Sequence, residues 1–295
     1  MTFDPISGIM RITGGTKLVG VIGDPVEHSC SPQMHNAAFE VLGLNWCYVP
    51  LPVPPERVGA AVKGLAALGF CGANVTVPHK QAVMPYLDEI DETAQAIGAV
   101  NTILVREGRL IGYNTDGDGF LAALREAGFT PAQRRALVLG AGGAARAVAY
   151  ALAQADCAVA IHNRTEQRAV QLARHIQRAG TRAPVTWLST DALPTEVDRA
   201  RFDLLVNATS VGLWPRTDAT PWPETFPLPS HWTVYDLVYN PRETRLLAQA
   251  RAAGATAVCG LGMLIHQGAL ALELWTGHPP PVETMRVAAE DALGW

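Results

Sequence analysis

The sequence contains few charged residues and has no surplus of positive charge. Of its 295 residues, 17% are charged and 48% are hydrophobic, and the formal net charge is −4. Proteins that bind nucleic acid usually carry a basic surplus, so we expect no nucleic-acid partner. The combination of low charge and high apolar content indicates an ordered, core-forming protein rather than a disordered chain.

Long apolar runs are also missing, as is the residue pattern of a secretory leader. No stretch of about 18 uninterrupted apolar residues occurs, so we predict no membrane span. The segment 1–17 has no basic stretch followed by an apolar core, and we therefore expect no signal peptide.

Cysteine is scarce and histidine shows no metal-ligand spacing. The five cysteines are scattered and form no C-x-x-C motif, which favours a reducing cytoplasm over a disulfide framework or a zinc site. The eight histidines form no spacing typical of zinc ligands, so no metal is expected.

Short apolar runs alternate with helical patterns, which predicts an α/β fold, and the length suggests two domains at roughly 100–200 residues each. In the first half we predict strands at 18–22, 47–53, 72–77 and 100–105, and helices at 32–42 and 54–68. Ser31 precedes Pro32 and is the predicted N-cap of the first helix. In the second half we predict strands at 136–139, 159–161, 202–206, 234–238 and 257–259, helices at 119–127, 142–153, 263–275 and 282–293, and an ordered surface loop at 214–232.

A glycine-rich turn at 140–143 joins a predicted strand to a predicted helix. Gly140 permits a tight turn, and Gly142 and Gly143 allow the backbone to approach a pyrophosphate, which the N–H groups of the helix would bind. A glycine triplet alone could be a structural turn. Its position between strand and helix favours a dinucleotide site in a Rossmann-type, doubly wound domain.

The end of the next strand indicates which dinucleotide is bound. NAD sites usually place a carboxylate there, whereas this chain has Asn163, Arg164 and Thr165, followed by Arg168. A guanidinium can pair with a 2′-phosphate and stack on adenine, so the pattern favours NADP. The alternative is that both arginines are solvated charges on a helix surface, and Glu166 lies between them.

Polar residues also cluster where predicted strands of the first half end. Ser29 and Ser31 precede a helix, a position that suits a substrate carboxylate, although Ser31 alone would be explained as an N-cap. Lys80 follows the predicted strand at 72–77, and Asp116 ends the polar segment at 112–116. Taken singly, Lys80 would be explained as an exposed lysine and Asp116 as a helix cap. Together they suggest a catalytic pair.

Nine segments carry a family resemblance. They are GDPVEHSCSPQMHN at 23–36, NVTVPHK at 74–80, GAVNT at 98–102, GYNTD at 112–116, GAGGAAR at 140–146, NRTEQR at 163–168, NATSVG at 207–212, DLVYNP at 236–241 and GLGMLIHQG at 260–268. In this order they resemble the signature blocks of the shikimate dehydrogenase family, which includes shikimate/quinate dehydrogenases. The resemblance covers nearly the whole chain.

The resemblance implies an N-terminal α/β substrate-binding domain, 1–115 with 260–295, and a Rossmann-like NADP-binding domain, 116–259. It implies reversible, NADPH-dependent reduction of 3-dehydroshikimate to shikimate, in the chorismate pathway of aromatic amino acid biosynthesis. The cysteine pattern predicts a cytoplasmic location, and the sequence leaves the oligomeric state open between a monomer and a homodimer. The alternatives are a quinate/shikimate dehydrogenase that uses NAD, and a non-catalytic homologue that binds the metabolite.

The resemblance also implies a role for particular residues. Ser29 and Ser31 would hold the substrate carboxylate, with Tyr239 near it. The residues implied to hold the substrate hydroxyls are Asn74, Thr76, Asn101, Asp116 and Gln267. The residues implied to contact the cofactor are Glu92, Gly140, Ala141, Gly142, Gly143, Ala144, Asn163, Arg164, Thr165, Arg168, Leu237 and Gly260. The chain departs from the family pattern in carrying Cys30 between the serines and His79 where many members have phenylalanine.

The implied catalytic residues are Lys80 and Asp116. Reduction of a ketone requires a hydride on carbon and a proton on oxygen, and the cofactor supplies the hydride. A lysine ammonium can supply the proton and stabilise the developing alkoxide. Asp116 can orient the lysine or share its proton, and the sequence leaves open which of the two carries the transferred proton.

Overall fold

The computed structural model describes residues 12–193, 195, 201–223 and 225–295. Their contacts form two units: the first comprises 12–115 with 265–295, and the second comprises 116–264. Within these ranges, no helix is both long and apolar enough to cross a membrane.

The first unit is built on a mixed six-stranded sheet. Its strands are β1 (Lys17–Gly23), β2 (Trp46–Pro52), β3 (Phe70–Val75), β4 (Glu89–Ile90), β5 (Thr102–Arg106) and β6 (Arg109–Tyr113), in the order β2-β1-β3-β5-β6-β4. Strands β2, β1 and β3 run parallel, whereas β5 is antiparallel to both β3 and β6. The parallel crossovers contain α1 (Ser31–Val41) and α2 (Val58–Ala67), and α3 (Glu92–Ile97) precedes β5.

The start of α1 differs from the sequence expectation. Cys30 is the N-cap, and Ser31 is already the first helical residue, so the prediction that Ser31 caps the helix was wrong. Pro32 lies in the first turn, where its missing N–H costs no hydrogen bond. Proline therefore fixes where the helix begins, and the Ser31 side chain is not used as the cap.

The second unit is built on a fully parallel six-stranded sheet. Its strands are β7 (Arg135–Leu139), β8 (Ala158–His162), β9 (Val185–Leu188), β10 (Leu204–Asn207), β11 (Thr233–Asp236) and β12 (Thr256–Cys259), in the order β12-β11-β10-β7-β8-β9. Its helices include α4 (Asp116–Glu126), α5 (Gly143–Gln154), α6 (Glu166–Arg178) and α7 (Arg245–Ala252). Two three-stranded halves that wind outward from β7 and β10 form a doubly wound Rossmann sheet, as the glycine turn predicted.

Apolar residues cover both faces of this parallel sheet. On one face α5 packs through Ala145, Val148 and Leu152. The other face is covered partly by the segment 214–232, predicted as a surface loop. Its Trp222 and Trp232 are each only 1% exposed and pack in the core, so that prediction was wrong for these side chains.

Two helices complete the chain, α8 (Leu261–Thr276) and α9 (Val282–Leu293). The boundary between the units falls within α8, because Met263 belongs to the core of the second unit and residues from 265 onward belong to the first. In the first unit, Gly268 of α8 packs so closely on α1 that an added Cβ would lie 2.5 Å from Cε of Met34.

Candidate functional site

A buried network of amides and hydroxyls lies where β3 ends and β5 begins in the first unit. Asn74 is the fifth residue of β3 and is paired with Thr102 of β5. Its Nδ2 donates to the carbonyl oxygen of Asn101 at 3.3 Å and to Oγ1 of Thr102 at 3.1 Å. Asn74 is therefore held by the strand beside it.

Asn101 is the centre of this network. Its Oδ1 accepts a hydrogen bond from the Thr115 backbone N–H at 2.8 Å, and its Nδ2 donates to Oγ1 of Thr115 at 2.9 Å. The same Nδ2 donates to Oε1 of Gln267 at 3.2 Å. The network thus brings together three residues predicted to bind substrate, Asn74, Asn101 and Gln267, although Gln267 comes from α8.

Lys80 lies on the turn that follows β3, and this turn is fixed from several sides. The Lys80 carbonyl accepts the Val100 N–H at 2.8 Å, and the Thr76 N–H donates to the Ile22 carbonyl at 2.8 Å. His79 is buried, and its Nε2 lies 2.6 Å from the Val53 carbonyl oxygen. Lys80 and Thr76 are themselves half-buried, so their side chains retain access to solvent beside the network.

The two serines lie at the start of α1. Ser29 is half-buried, Ser31 is 7% exposed, and the Ser31 N–H donates to Oγ of Ser29 at 3.3 Å. Between them, burial raises the pKa of the Cys30 thiol to about 11. Cys30 is therefore a protonated packing residue at neutral pH.

The glycine turn of the second unit has space for a ligand. Gly140 has a φ of +113°, and an added Cβ would lie 2.9 Å from the Ala208 carbonyl oxygen, so only glycine fits there. Gly142 is exposed, and no heavy atom of the described chain lies within 4 Å of an added Cβ. Among the described residues, no side chain caps α5 at Gly142. The first N–H groups of this helix therefore suit a pyrophosphate.

Positive charge lies on the segment that follows β8, the strand that pairs with β7. Arg164, Thr165 and Arg168 are exposed, whereas Asn163 is half-buried and its Nδ2 donates to the Thr165 carbonyl at 2.9 Å. No acidic residue stands at 163–165, where NAD sites carry a carboxylate. This part of the second unit therefore fits a ligand that carries an additional phosphate.

Leu237 and Gly260, both predicted to lie near the nicotinamide, are in contact with each other. Gly260 is buried, and an added Cβ would overlap the Leu237 backbone. The Gly260 N–H also donates to the Val238 carbonyl at 3.3 Å. The two segments that follow β11 and β12 are thus packed backbone against backbone at the carboxyl ends of the strands, where such sheets bind their ligands.

A second buried network, which sequence reasoning missed, lies under these segments. Asp236 is fully buried, and its Oδ1 accepts hydrogen bonds from Nδ2 of Asn207 at 2.8 Å and from the Val238 N–H at 3.0 Å. Its Oδ2 accepts from Oγ1 of Thr244 at 2.6 Å, and Asn207 Oδ1 accepts from Thr209. Asn207 and Asp236 end neighbouring strands, and this shared position was the signal that could have identified them.

Three further predicted site residues lie on other segments. Asp116 is the buried first residue of α4 and directly follows Thr115. Tyr239 is half-buried in the segment after β11. Glu92 is the exposed first residue of α3 in the first unit, and its predicted cofactor contact stays a prediction. No group of three or more metal-ligating side chains occurs among the described residues.

Family models match three parts of the chain. Residues 21–103 match the shikimate dehydrogenase substrate binding domain, residues 123–211 match shikimate/quinate 5-dehydrogenase, and residues 260–290 match the shikimate 5′-dehydrogenase C-terminal domain. The substrate-domain match contains Ser29, Asn74, Lys80 and Asn101, and the second match contains the glycine turn.

Relatives match over nearly the full length. "Shikimate dehydrogenase (NADP(+))" of Moorella thermoacetica is 52% identical over 288 residues, which cover 97% of each chain. The crystal structure of shikimate 5-dehydrogenase from Thermus thermophilus in complex with NADP(H) and shikimate is 44% identical, with a TM-score of 0.84, and covers 94% of this chain and 100% of that one. Quinate dehydrogenase from Corynebacterium glutamicum in complex with NAD is 35% identical, with a TM-score of 0.83, covering 92% and 98%. By sequence and by fold, this chain belongs to the shikimate dehydrogenase family.

Proposed function

We propose that this protein is an NADP-dependent shikimate dehydrogenase that interconverts 3-dehydroshikimate and shikimate. The observation that carries the proposal is the full-length similarity to relatives of that name. The polar residues of the first unit support it, because a carboxylate-bearing polyol is bound through hydrogen bonds. The glycine turn of the second unit also supports it, because a dinucleotide needs a site for its pyrophosphate.

The second unit would hold the cofactor. The backbone at Gly140, Ala141, Gly142, Gly143 and Ala144 would contact the pyrophosphate, and Asn163, Arg164, Thr165 and Arg168 would contact the adenosine with its 2′-phosphate. Leu237 and Gly260 would border the nicotinamide, with Glu92 a further contact. The bound cofactor supplies the hydride for the reduction.

The first unit would hold most of the substrate. Ser29 and Ser31 would bind its carboxylate, with Tyr239 nearby. The amides of Asn74, Asn101 and Gln267 and the hydroxyl of Thr76 would bind its ring hydroxyls. Because the amides are already ordered by their mutual hydrogen bonds, little conformational entropy would be lost when substrate binds.

Lys80 and Asp116 would handle the proton. As an ammonium, Lys80 donates a proton to the oxygen of the substrate ketone and stabilises the negative charge that develops there. Asp116 would orient the lysine for this transfer. In the reverse direction Lys80 takes the proton back from the substrate hydroxyl.

A second candidate function is quinate/shikimate dehydrogenation with NAD, which a relative with that cofactor favours. Arg164 and Arg168 argue against it, because two exposed guanidinium groups after β8 suit the 2′-phosphate that NAD lacks.

Oxidation assays would test the proposal directly. The purified protein would be mixed with shikimate or quinate, and with NADP or NAD, while the absorbance of the reduced cofactor is followed. We expect the highest kcat/KM with shikimate and NADP. Higher kcat/KM with quinate and NAD would support the second candidate, and no reduction of either cofactor would support a metabolite-binding protein without activity.

Location and assembly are part of the same proposal. A cytoplasmic location fits the five cysteines, all of which are free. The net charge of −4 argues against a nucleic-acid partner, and we propose that the protein is a monomer or a homodimer. Sedimentation of the purified protein, alone and with DNA, would test the oligomeric state and the absence of DNA binding.

A further inference from the structure

Tyr48 lies on the edge strand of the first unit and is held there by a side chain. Strand β2 ends the sheet, so the outer side of its backbone has no partner strand among the described residues. The Asn36 amide of α1 replaces that strand: its Nδ2 donates to the Tyr48 carbonyl at 3.0 Å, and its Oδ1 accepts the Tyr48 N–H at 2.8 Å. The backbone of Tyr48 is therefore fixed on its outer side.

The Tyr48 ring is equally constrained. The side chain is buried, and the ring stacks on His35 with a centroid distance of 4.4 Å and an interplanar angle of 2°. Trp275 of α8 contacts the same pair, at 5.6 Å from His35 and 6.1 Å from Tyr48. His35 in turn packs against Gly268, the neighbour of Gln267, where an added Cβ would lie 3.2 Å from Nε2.

The Tyr48 hydroxyl makes a polar contact with the candidate site. It donates to Oδ1 of Asn74 at 2.9 Å, across the intervening strand β1. Both N–H groups of the Asn74 amide point to protein acceptors, namely the Asn101 carbonyl and Thr102 Oγ1. Of the hydrogen-bonding capacity of this amide, one lone pair on Oδ1 is left for a ligand.

We propose that Tyr48 is a positioning residue that sets the orientation of the Asn74 amide, so that Asn74 accepts a hydrogen bond from a substrate hydroxyl rather than donating one. Without the Tyr48 hydroxyl, the amide can rotate and present its NH₂ group instead. Because Asn74 also contacts Asn101 and Thr102, its rotation disturbs the network that reaches Gln267. This inference rests on the proposed function of the same site.

The test is Tyr48→Phe, which removes only the hydroxyl. We expect KM for shikimate to rise about tenfold, the size typical of a lost buried hydrogen bond, with a much smaller change in kcat and none in KM for NADP. Tyr235→Phe is the matched control: Tyr235 is also a fully buried tyrosine, and its hydroxyl forms no hydrogen bond with the predicted substrate residues. It should leave KM for shikimate unchanged.

A double-mutant cycle separates positioning from a general loss of stability. In an Asn74→Ala background, Tyr48→Phe should have almost no further effect on KM, because the group it orients is gone. Equal effects of Tyr48→Phe with and without Asn74 would overturn the proposal. So would an unchanged KM for shikimate in Tyr48→Phe accompanied only by a lower melting temperature. Activity of the wild-type protein is measured first, so failure of the proposed function is distinguished from failure of this inference.

Discussion

The two units differ in how they bury polar groups. The network of the first unit, Asn74, Asn101 and Gln267 with their threonine partners, consists of neutral amides and hydroxyls. The network of the second unit is organised around a carboxylate, that of Asp236, which three donors surround. The first arrangement orders amides and hydroxyls that are predicted to bind substrate, and the second fixes the segments that follow β10 and β11.

One buried titratable group in each unit shows the same contrast. In the first unit His35 is fully buried, and no described residue forms a hydrogen bond with either of its ring nitrogens. In the second unit Asp236 is as deeply buried but fully hydrogen-bonded. Burial disfavours the charged form of both, so a base and an acid should respond to pH in opposite ways.

The largest expected effect is that of replacing Lys80, the predicted proton donor of the first unit. Lys80→Ala should lower turnover by about 10²–10⁴, the usual contribution of a general acid or base, because the neutral network can bind but cannot donate the proton. The substrate dissociation constant should change much less. Stopped-flow turnover and equilibrium binding would measure the two quantities separately.

Lys63→Ala is the control, since Lys63 is an exposed lysine on α2 of the same unit. Asp116→Asn should also reduce turnover, and the double variant with Lys80→Ala should lose less than the product of the single losses if the two act together. A near-normal rate for Lys80→Ala would contradict the mechanism.

The next effect is the acid sensitivity of the first unit. Burial lowers the pKa of His35 from 6.5 to about 3. The unfolded chain takes up this proton well before the folded one, so the contribution of His35 to stability is complete above its unfolded pKa and is lost as pH falls toward 3. The full loss is on the order of 5 kcal/mol. Urea unfolding at a series of pH values would show a shallower acid dependence in His35→Leu than in the wild type. Parallel curves would refute the assignment.

The second unit should show the opposite slope, with a smaller amplitude. Burial raises the pKa of Asp236 from 3.8 to about 6, although the hydrogen bonds from Thr244, Val238 and Asn207 oppose the shift. Because the folded pKa lies above the unfolded one, this contribution is complete below the unfolded pKa and is lost as pH rises through 6. The amplitude is on the order of 3 kcal/mol.

Asp236→Asn removes this titration and keeps the shape of the side chain. The difference in unfolding free energy between wild type and variant should therefore move against the wild type as pH rises from about 4 to about 7. A difference that is constant with pH would mean that Asp236 is ionised in the folded protein over the whole range, and that its three donors outweigh burial.

The smallest expected effect is that of filling the open space beside Gly142 in the glycine turn of the second unit. Gly142→Ala should raise KM for NADP about tenfold, because the added methyl group would occupy the approach of the pyrophosphate. Its unfolding free energy should stay within about 0.5 kcal/mol of the wild type, since nothing described lies near the new Cβ. Gly64→Ala, on α2 with equally open surroundings, is the control and should leave KM unchanged. A loss of stability without a change in KM would indicate a structural turn only.

Much of the fold could be predicted from local sequence. The strand, glycine turn and helix at 136–153 were confirmed because apolar periodicity and glycine geometry are local properties. The final helix was predicted with its observed bounds, 282–293. The start of α1 was not, because the preference of serine for N-caps competed with the placement of Pro32, and cysteine gives no capping signal.

The supporting residues of the site could not be found in this way. Tyr48 contacts Asn74 across β1, and both strand order and register are needed to see that a residue of β2 reaches one of β3. Asp236 and Asn207 lie in segments that the sequence comparison singled out, yet their mutual hydrogen bond follows from the pairing of β10 with β11. Residues predicted to contact ligand belong to sequence motifs. The residues that position them can be identified only from tertiary contacts.

The bond between Asn36 and Tyr48 also bears on whether the edge strand β2 can pair with a strand of another molecule. Backbone groups of alternate residues on β2 point away from the sheet, so Tyr48 shares its outward side with Pro50 and Pro52. Prolines have no N–H, and that of Tyr48 is bound by Asn36, which leaves the outward side of 48–52 without a backbone donor for a strand of another molecule. Replacing Asn36 would therefore free the N–H and the carbonyl of Tyr48 alone, and the two prolines would still limit pairing along this edge.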